Sequence, residues 1–446
     1  MSSAAEPAEV DTEVQNTSTS KHGTFRSLRN RNYRLFFSGQ ILSNTGTWMM
    51  RIAQDWLVLS LTGSAAAVGV TTALQFLPLL LFGLYGGVIA DRYAKRRLLL
   101  ITQVSLGVLG LILAALTLSG AVQVWHVYLI AALLGLVTVV DNPTRQAFVT
   151  ELVGPADVRN AVGLNAANFQ TARIVGPAVA GVLITAVGSG WAFALNGLSF
   201  AAPVVALLMM REKELHHVPR APREKGQLRQ GLRYVAEHPQ LLWPIVLVTF
   251  VGTFGFNFPI WLTAFVDNVF HAGAGTYGML NTLMAAGSLT GALLAARRTA
   301  TRMRTLVGAA LLFGVLEIAA ALSPAFWMFA ALMVPIGLFG LTFTTTSNSS
   351  LQLATDPVMR GRVMSLYLMV FLGSTPIGAP LLGWVTDTFG PRIGFLAGGL
   401  ISAAAAIVVG LVLVRITGLR VKIDLHPGRG RRLITVVRGK DLVTAA

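Results

Sequence analysis

The sequence predicts an all-α membrane protein in which twelve transmembrane helices form two pseudo-symmetric six-helix halves. Three observations carry that expectation. Of the 446 residues, 54% are hydrophobic and only 12% are charged, about half the charge that a soluble globule of this size carries. The basic residues gather in alternate connections between long apolar runs. The two halves of the chain also resemble each other when one is slid over the other.

Residues 1–30 are rich in Ser, Thr and Glu, with no apolar core and no small-residue cleavage site. They read as a disordered cytoplasmic tail rather than a secretory signal, and the first span then serves as an uncleaved insertion signal. Apolar runs long enough for a bilayer, about 20 residues each, follow at 33–62, 65–90, 97–119, 124–149, 160–188 and 190–210, an N-terminal half over 31–210. The connection 211–240 mixes basic residues with Pro219, Pro222 and Pro239, and it is the expected linker. A C-terminal half over 241–415 carries runs at 241–268, 274–296, 304–322, 325–354, 363–388 and 392–414. Residues 416–446 form a basic tail expected to lie against the anionic inner leaflet.

Charge sets the orientation. Of the 35 Lys and Arg, 31 fall in the two tails or the even-numbered connections, and only Arg392 falls on the other side. Arg51, Arg145 and Arg173 lie within spans. By the positive-inside rule both termini are cytoplasmic, in a bacterial inner membrane, and the net charge of +16 is topology rather than a nucleic-acid footprint. The arginine excess over lysine fits a GC-rich bacterial genome. With no cysteine and seven histidines lacking paired-ligand spacing, neither a disulfide nor a metal site is expected, and no cofactor. A primary pump would need a Gly-x-x-x-x-Gly-Lys-(Ser/Thr) loop, which the chain lacks, and no convergent nucleophile and base mark an enzyme.

The internal repeat has two close offsets. A slide of 202 residues superposes Gly135 on Gly337, Gly176 on Gly378, Gly181 on Gly383, Gly188 on Gly390 and Gly197 on Gly399. A slide of 205 brings Gly86 onto Gly291 and Trp56 onto Trp261. Two related six-helix halves with a cavity between them describe a rocking transporter.

Between the second and third runs stands Gly87-Val-Ile-Ala-Asp91-Arg92-Tyr-Ala-Lys95-Arg96-Arg97. It resembles the loop motif of the major facilitator superfamily, Gly-x-x-x-Asp-(Arg/Lys)-x-Gly-(Arg/Lys)-(Arg/Lys), with Ala94 where the second glycine is usual. The resemblance covers nearly the whole chain and implies a cytoplasmic gate: Asp91 pairing with a neighbouring helix end, and the basic residues reaching carboxylates across the loop. The second half keeps Gly291 and Arg297 but has Ala296 in place of the acid, so the gate is expected to be asymmetric. Gly176-Pro177-Ala-Val-Ala-Gly181 resembles the antiporter signature of the fifth span, although small-residue packing alone explains it equally well. The fourth-span arginine of drug–proton antiporters is absent, Ala131 standing four residues before Gly135. Asp141-Asn-Pro143-Thr-Arg145-Gln and Ala53-Gln54-Asp55-Trp56 are similar instead to the branch of enterobactin-type siderophore exporters and macrolide and multidrug efflux proteins. That branch implies export of a small amphiphile by alternating access, driven by the proton gradient. A nutrient symporter, or a receptor that transports nothing, is the alternative.

Charges within spans are functional candidates because hydrocarbon excludes them. Arg51 and Asp55 share one helix face, as do Asp141 and Arg145 across Pro143; two self-neutralising ion pairs are the plain reading of both. Asp55, in the outer half of its span, is the proton-coupling candidate, since a carboxyl partly desolvated beside a cation can titrate in the working range. Asp141 and Arg145, nearer the cytoplasm, are expected to join the gate of Gly87, Asp91, Arg92, Lys95 and Arg96. Arg173 has no acid on its own face and either pairs with Asp55 or receives an anionic substrate group. Gln54, Phe256, Asn257, Trp261, Asn281 and Asn348 are the cavity candidates, with packing between helices the simpler reading for each aromatic, and Glu317 is a weaker one on a helix expected at the periphery. The partners expected are a small-molecule substrate, protons and lipid, with the chain a monomer.

Overall fold

The computed structural model describes residues 25–216, 227–296, 303–417, 419–423 and 434–438, and most of them are helical. α1 (Arg31–Thr62) begins where the Asn30 side chain accepts the Tyr33 N–H, and it stops at Gly63, whose φ of 63° favours a residue without Cβ. Ser64 caps α2 (Ala65–Arg92) by accepting from the Ala67 N–H at 3.1 Å. α3 (Lys95–Leu118), α4 (Val124–Val153) and α5 (Val158–Val187) follow, and the sixth span is divided at Phe200 into α6 (Ser189–Ser199) and α7 (Ala201–Leu208).

A short helix, α8 (Gln227–Glu237), precedes the second half, and its Tyr234 hydroxyl donates to the Asp356 carboxylate at 2.9 Å. The seventh span is broken where sequence suggested. α9 (Pro239–Phe250) widens into a π-helical turn, Phe256 and Asn257 leave the helix, and α10 (Phe258–Ala264) restarts with Pro259 in its first turn, where a missing N–H costs nothing. α11 (Ala274–Ala296), α12 (Met303–Ala321) and α13 (Phe326–Ala354) come next. α14 (Arg360–Gly373) and α15 (Thr375–Phe389) form the eleventh span, α16 (Pro391–Thr417) the twelfth. An antiparallel ribbon, β1 (Leu419–Ile423) with β2 (Ile434–Arg438), is the described part of the basic tail.

Eleven stretches among the described residues are long and apolar enough to cross a membrane. The remaining span of the expected twelve is α1, whose 32 residues are ample in length. Its Gln40, Asn44, Arg51, Gln54 and Asp55 make it the most polar of the set. A helix so substituted stays in a bilayer only by turning that face to a cavity or to protein.

Lipid is as apolar as leucine, so helices associate through close packing, and glycines do much of it here. The repeat pairs perform matching tasks. Gly135 of α4 lies on the Gln75 carbonyl of α2, as Gly337 of α13 lies on the Met284 carbonyl of α11. Gly176 abuts Trp48 and Met49 of the first span, and Gly378 abuts Thr253 of the seventh. Gly188 and Gly390, with φ of 88° and 93°, both turn the chain back after the fifth and eleventh spans. Gly181 and Gly383 reach across to the opposite half, to Gly275 and Gly278 of α11 and to Ala65 and Ala66 of α2. Two seams thus join the halves, α5 with α11 and α2 with α15.

The second half holds the larger aromatic core. Trp261 stacks on Phe395 at 4.6 Å between ring centres, and Phe265 stacks on Phe329 at 4.6 Å.

Candidate functional site

A cavity of about 1130 Å³ lies between the halves. It runs from Asp55, Thr72 and Tyr277 at one end to Phe36, Val149 and Val162 at the other, near where α1 starts, α4 ends and α5 starts. That is the basic end of the bundle, the side of Arg31, Lys95 and Arg159. The two walls differ. The first half offers amides and charges, among them Gln40, Asn44, Gln54 and Gln75; the second offers rings, with Phe256 stacked on Phe313 at 5.0 Å and set edge-on to Phe371 at 5.7 Å. Such a wall pair suits a molecule with one polar and one apolar side.

The opposite end is shut. Asp387, in the last turn of α15, accepts the Ala65 N–H at 2.7 Å, the Ala66 N–H at 3.0 Å and the Ser64 hydroxyl at 2.6 Å. A carboxylate of one half thereby caps the positive N-terminus of a helix in the other. Replacing it, Asp387→Asn, removes an exposed charge–dipole contact of about 1 kcal/mol, so the form open at this end should gain roughly fivefold. The chain has no cysteine, which makes Thr72→Cys a clean reporter at this end of the cavity. An impermeant maleimide added on this side should label it faster in the Asp387→Asn background, and equal rates would dismiss the clamp.

Just inside this closure, Asp55 accepts the Tyr277 hydroxyl at 2.9 Å, a hydrogen bond between halves, and Trp56 lies stacked on the same tyrosine at 6.3 Å. Asp55 is 5% exposed. The ion pair expected between Arg51 and Asp55 does not form, because the carboxylate turns to α11. Neither does one between Arg173 and Asp55. Both guanidiniums converge instead on the Trp48 ring, Arg51 at 5.0 Å and Arg173 at 5.7 Å from its centre, and Arg51 also reaches Phe76 at 5.8 Å.

The second expected pair does form. Arg145 binds Asp141, and it donates to Gln40 at 2.6 Å and Asn44 at 3.2 Å on α1. Asp141 also accepts from Thr102 and Gln103 of α3, both at 2.7 Å. Their union with the gate is corrected by this geometry. Both oxygens of Asp141 are occupied, and Thr102 stands about 10 Å along α3 from Lys95. The pair fastens α1, α3 and α4 together beside the cavity.

The motif itself is mostly helix. Gly87, Asp91 and Arg92 are in the last turns of α2, Lys95 and Arg96 open α3, and only Tyr93 and Ala94 connect them. Lys95 binds Glu151 at the end of α4 at 2.6 Å. Arg96 pairs with Glu212 and donates to the Leu207 and Leu208 carbonyls at 2.7 and 3.1 Å, capping the C-terminus of α7. These bonds stay within the first half and the start of the linker that follows it. Arg297, the counterpart expected in the second, lies outside the described residues.

Among the cavity candidates, Gln54, Phe256 and Asn281 are on the wall, with Gln75 donating to Gln54 at 2.9 Å and Asn281 donating to the Tyr277 carbonyl at 2.9 Å. Three others are corrected. Asn257 is buried and donates to the Thr253 carbonyl at 2.8 Å, satisfying backbone at the helix break. Trp261 is wholly buried behind Phe258. Asn348 accepts from Gln352 at 2.6 Å, off the cavity wall. Glu317 is wholly enclosed too, and neither carboxyl oxygen has a hydrogen-bond partner among the described residues. Sequence reasoning missed Trp48, Tyr277 and Asp387; the last two act through the opposite half, and Trp48 through arginines of its own helix and of α5.

A family described as transmembrane secretion effector matches residues 22–427. The staphyloferrin A transporter of Staphylococcus aureus is 26% identical over 360 residues, 80% of this chain and 90% of that one. The multidrug efflux pump Tap of Mycobacterium tuberculosis is 25% identical over 410 residues, 88% and 95% of the two chains. The enterobactin exporter EntS of Citrobacter koseri is 24% identical over 399 residues, 86% and 92%. Among solved structures, a bacterial homolog of the human lysosomal transporter Spinster, inward-facing and occupied, superposes with a TM-score of 0.67 at 16% identity, covering 88% of this chain and 97% of that one. A transporter of the POT family gives 0.69 at 13% identity, covering 89% and 100%. Those two likenesses concern the fold.

Proposed function

Since the chain belongs to the transmembrane secretion effector family, a group of major facilitator transporters, we propose that it is a proton-coupled antiporter exporting a small amphiphilic compound such as a drug or a siderophore, in keeping with the multidrug pump and enterobactin exporter among its relatives. The observation that carries this reading is the Asp55–Tyr277 hydrogen bond, a protonatable carboxyl tying the two halves at one end of the cavity between them. The positive-inside rule makes the basic end cytoplasmic, with both termini on that side of a bacterial inner membrane. The cavity then faces inward, ready to load.

In the cycle so inferred, ionised Asp55 holds the outer closure by accepting from Tyr277. Cargo enters from the cytoplasm between the amide wall and the ring wall. The halves rock about the α2–α15 and α5–α11 seams, the Asp387 cap parts, and the cargo leaves. A proton taken by Asp55 from outside resets the carrier and is released inward on return. The motif around Asp91, with Lys95 and Arg96, braces the cytoplasmic end, and the Gly176, Pro177 and Gly181 stretch lets α5 approach its neighbours closely. One monomer suffices.

An efflux screen of siderophores and hydrophobic antibiotics in a pump-deficient host tests the proposal. Expression should lower the accumulation of at least one compound, and a protonophore should abolish the effect. Uptake of label under an inward proton gradient would identify a symporter, and no change for any compound would remove the transport reading.

A further inference from the structure

The inward-facing cavity contains two guanidiniums without acids. Among the described residues no carboxylate lies within 4 Å of Arg51 or Arg173, and neither side chain donates a hydrogen bond. Each stands in the electrostatic field of the other, half-buried on the cavity wall. Such an arrangement is costly, since two like charges are held together with little water and only ring faces for support. The other charges on this wall relieve it only in part. Arg145 and Asp141 neutralise one another, and Asp55, engaged by Tyr277, offsets Arg51 through space without touching it and leaves one positive charge over.

We propose that Arg51 and Arg173, held over Trp48, form the oxyanion subsite of the transporter, and that the cargo is an amphiphilic dianion whose apolar body rests on Phe256 and Phe371. This deepens the export reading and rests on it for direction alone. Guanidiniums present planar donor forks that match carboxylate or phosphate oxygens. Trp48 fixes them from beneath, so little side-chain freedom is lost when an anion arrives. The anion removes the repulsion between the arginines. Two cations against one carboxylate leave the site positive even with Asp55 ionised, so the anion is accepted after the proton has gone, in the order that antiport requires. Each negative charge exported also moves down the inside-negative membrane potential.

Purified full-length protein and fluorescent probes decide the matter. The probes are N-dansyl-glutamate, the matching dansyl-glutamate diamide, and N-dansyl-O-phosphoethanolamine as the phosphate arm. At neutral pH and low salt a dianion should bind at least about tenfold tighter than the diamide, and whichever dianion is tighter names the oxyanion. Arg51→Gln and Arg173→Gln should each weaken the dianion about tenfold or more and change the diamide far less. Retained diamide binding shows that a variant is folded. Equal affinity for dianions and diamide would overturn the proposal, as would dianion binding indifferent to both substitutions. The transport reading fails separately: dianion binding without proton-driven movement in vesicles would refute antiport and leave the subsite standing.

Discussion

Asp55→Asn is expected to reduce proton-driven efflux to the level of empty vesicles while sparing exchange of labelled for unlabelled cargo. An asparagine cannot take up a proton, yet its carbonyl oxygen can still accept the Tyr277 hydroxyl that Asp55 accepts at 2.9 Å. The bridge between halves therefore survives and the chemistry does not. Exchange needs only loading and rocking; net export against a gradient needs the proton to reset the carrier. Inverted vesicles with an imposed pH step, followed by counterflow in the same preparation, read the two separately. Proton-driven efflux at the wild-type rate in Asp55→Asn would take the coupling role away from this residue.

Asp141→Ala should have the largest effect on stability. Asp141 is 2% exposed, binds Arg145, and accepts from Thr102 and Gln103. Removing it strands a cation and two donors inside a helical bundle, a loss of about 3–5 kcal/mol. The detergent-solubilised protein should melt well below the wild type, or fail to accumulate. Asp141→Asn keeps one acceptor for Thr102 or Gln103 and should fall between the two. The double change Asp141→Leu with Arg145→Met removes both charges and should recover much of the loss. A melting temperature unchanged in Asp141→Ala would mean that the network carries no weight.

Much of the fold could be read from the chain because spans are local. An apolar run ended by Gly188 or Gly390 declares a helix and its turn together, and the repeat spacing survives because the glycine at each matched position meets the corresponding partner. The first span was legible by length, and its polar face by the i, i+4 spacing of Arg51 and Asp55. Spacing places those two side chains on one face without saying what else that face meets. Tyr277, 222 residues away, draws the carboxylate off, and Trp48 collects the arginines. Asn257 and Trp261 mislead for a related reason. An aromatic stretch around a proline reads the same whether it faces a cavity or the interior of its own half, and here Phe256 and Phe258 face the cavity while Asn257 and Trp261 do not. Asp387 lacks any local mark, since its partner is the start of a helix in the opposite half.

The seams between the halves are built largely of glycine and bare main chain: Gly181 against Gly275, Gly278 against the Pro177 carbonyl, Gly383 against Ala65 and Ala66. Parting them uncovers peptide groups along with small patches of aliphatic surface. Hydration of these two kinds of surface changes heat capacity with opposite sign, by about −0.26 and +0.45 cal/K/mol/Å². The contributions oppose one another, so the enthalpy separating the inward and outward forms should change less with temperature than aliphatic burial alone would make it. A carrier closed by interlocked leucines would expose mostly apolar surface, and its conformational balance would curve with temperature. This one should give a straighter van't Hoff line for the partition between its two faces.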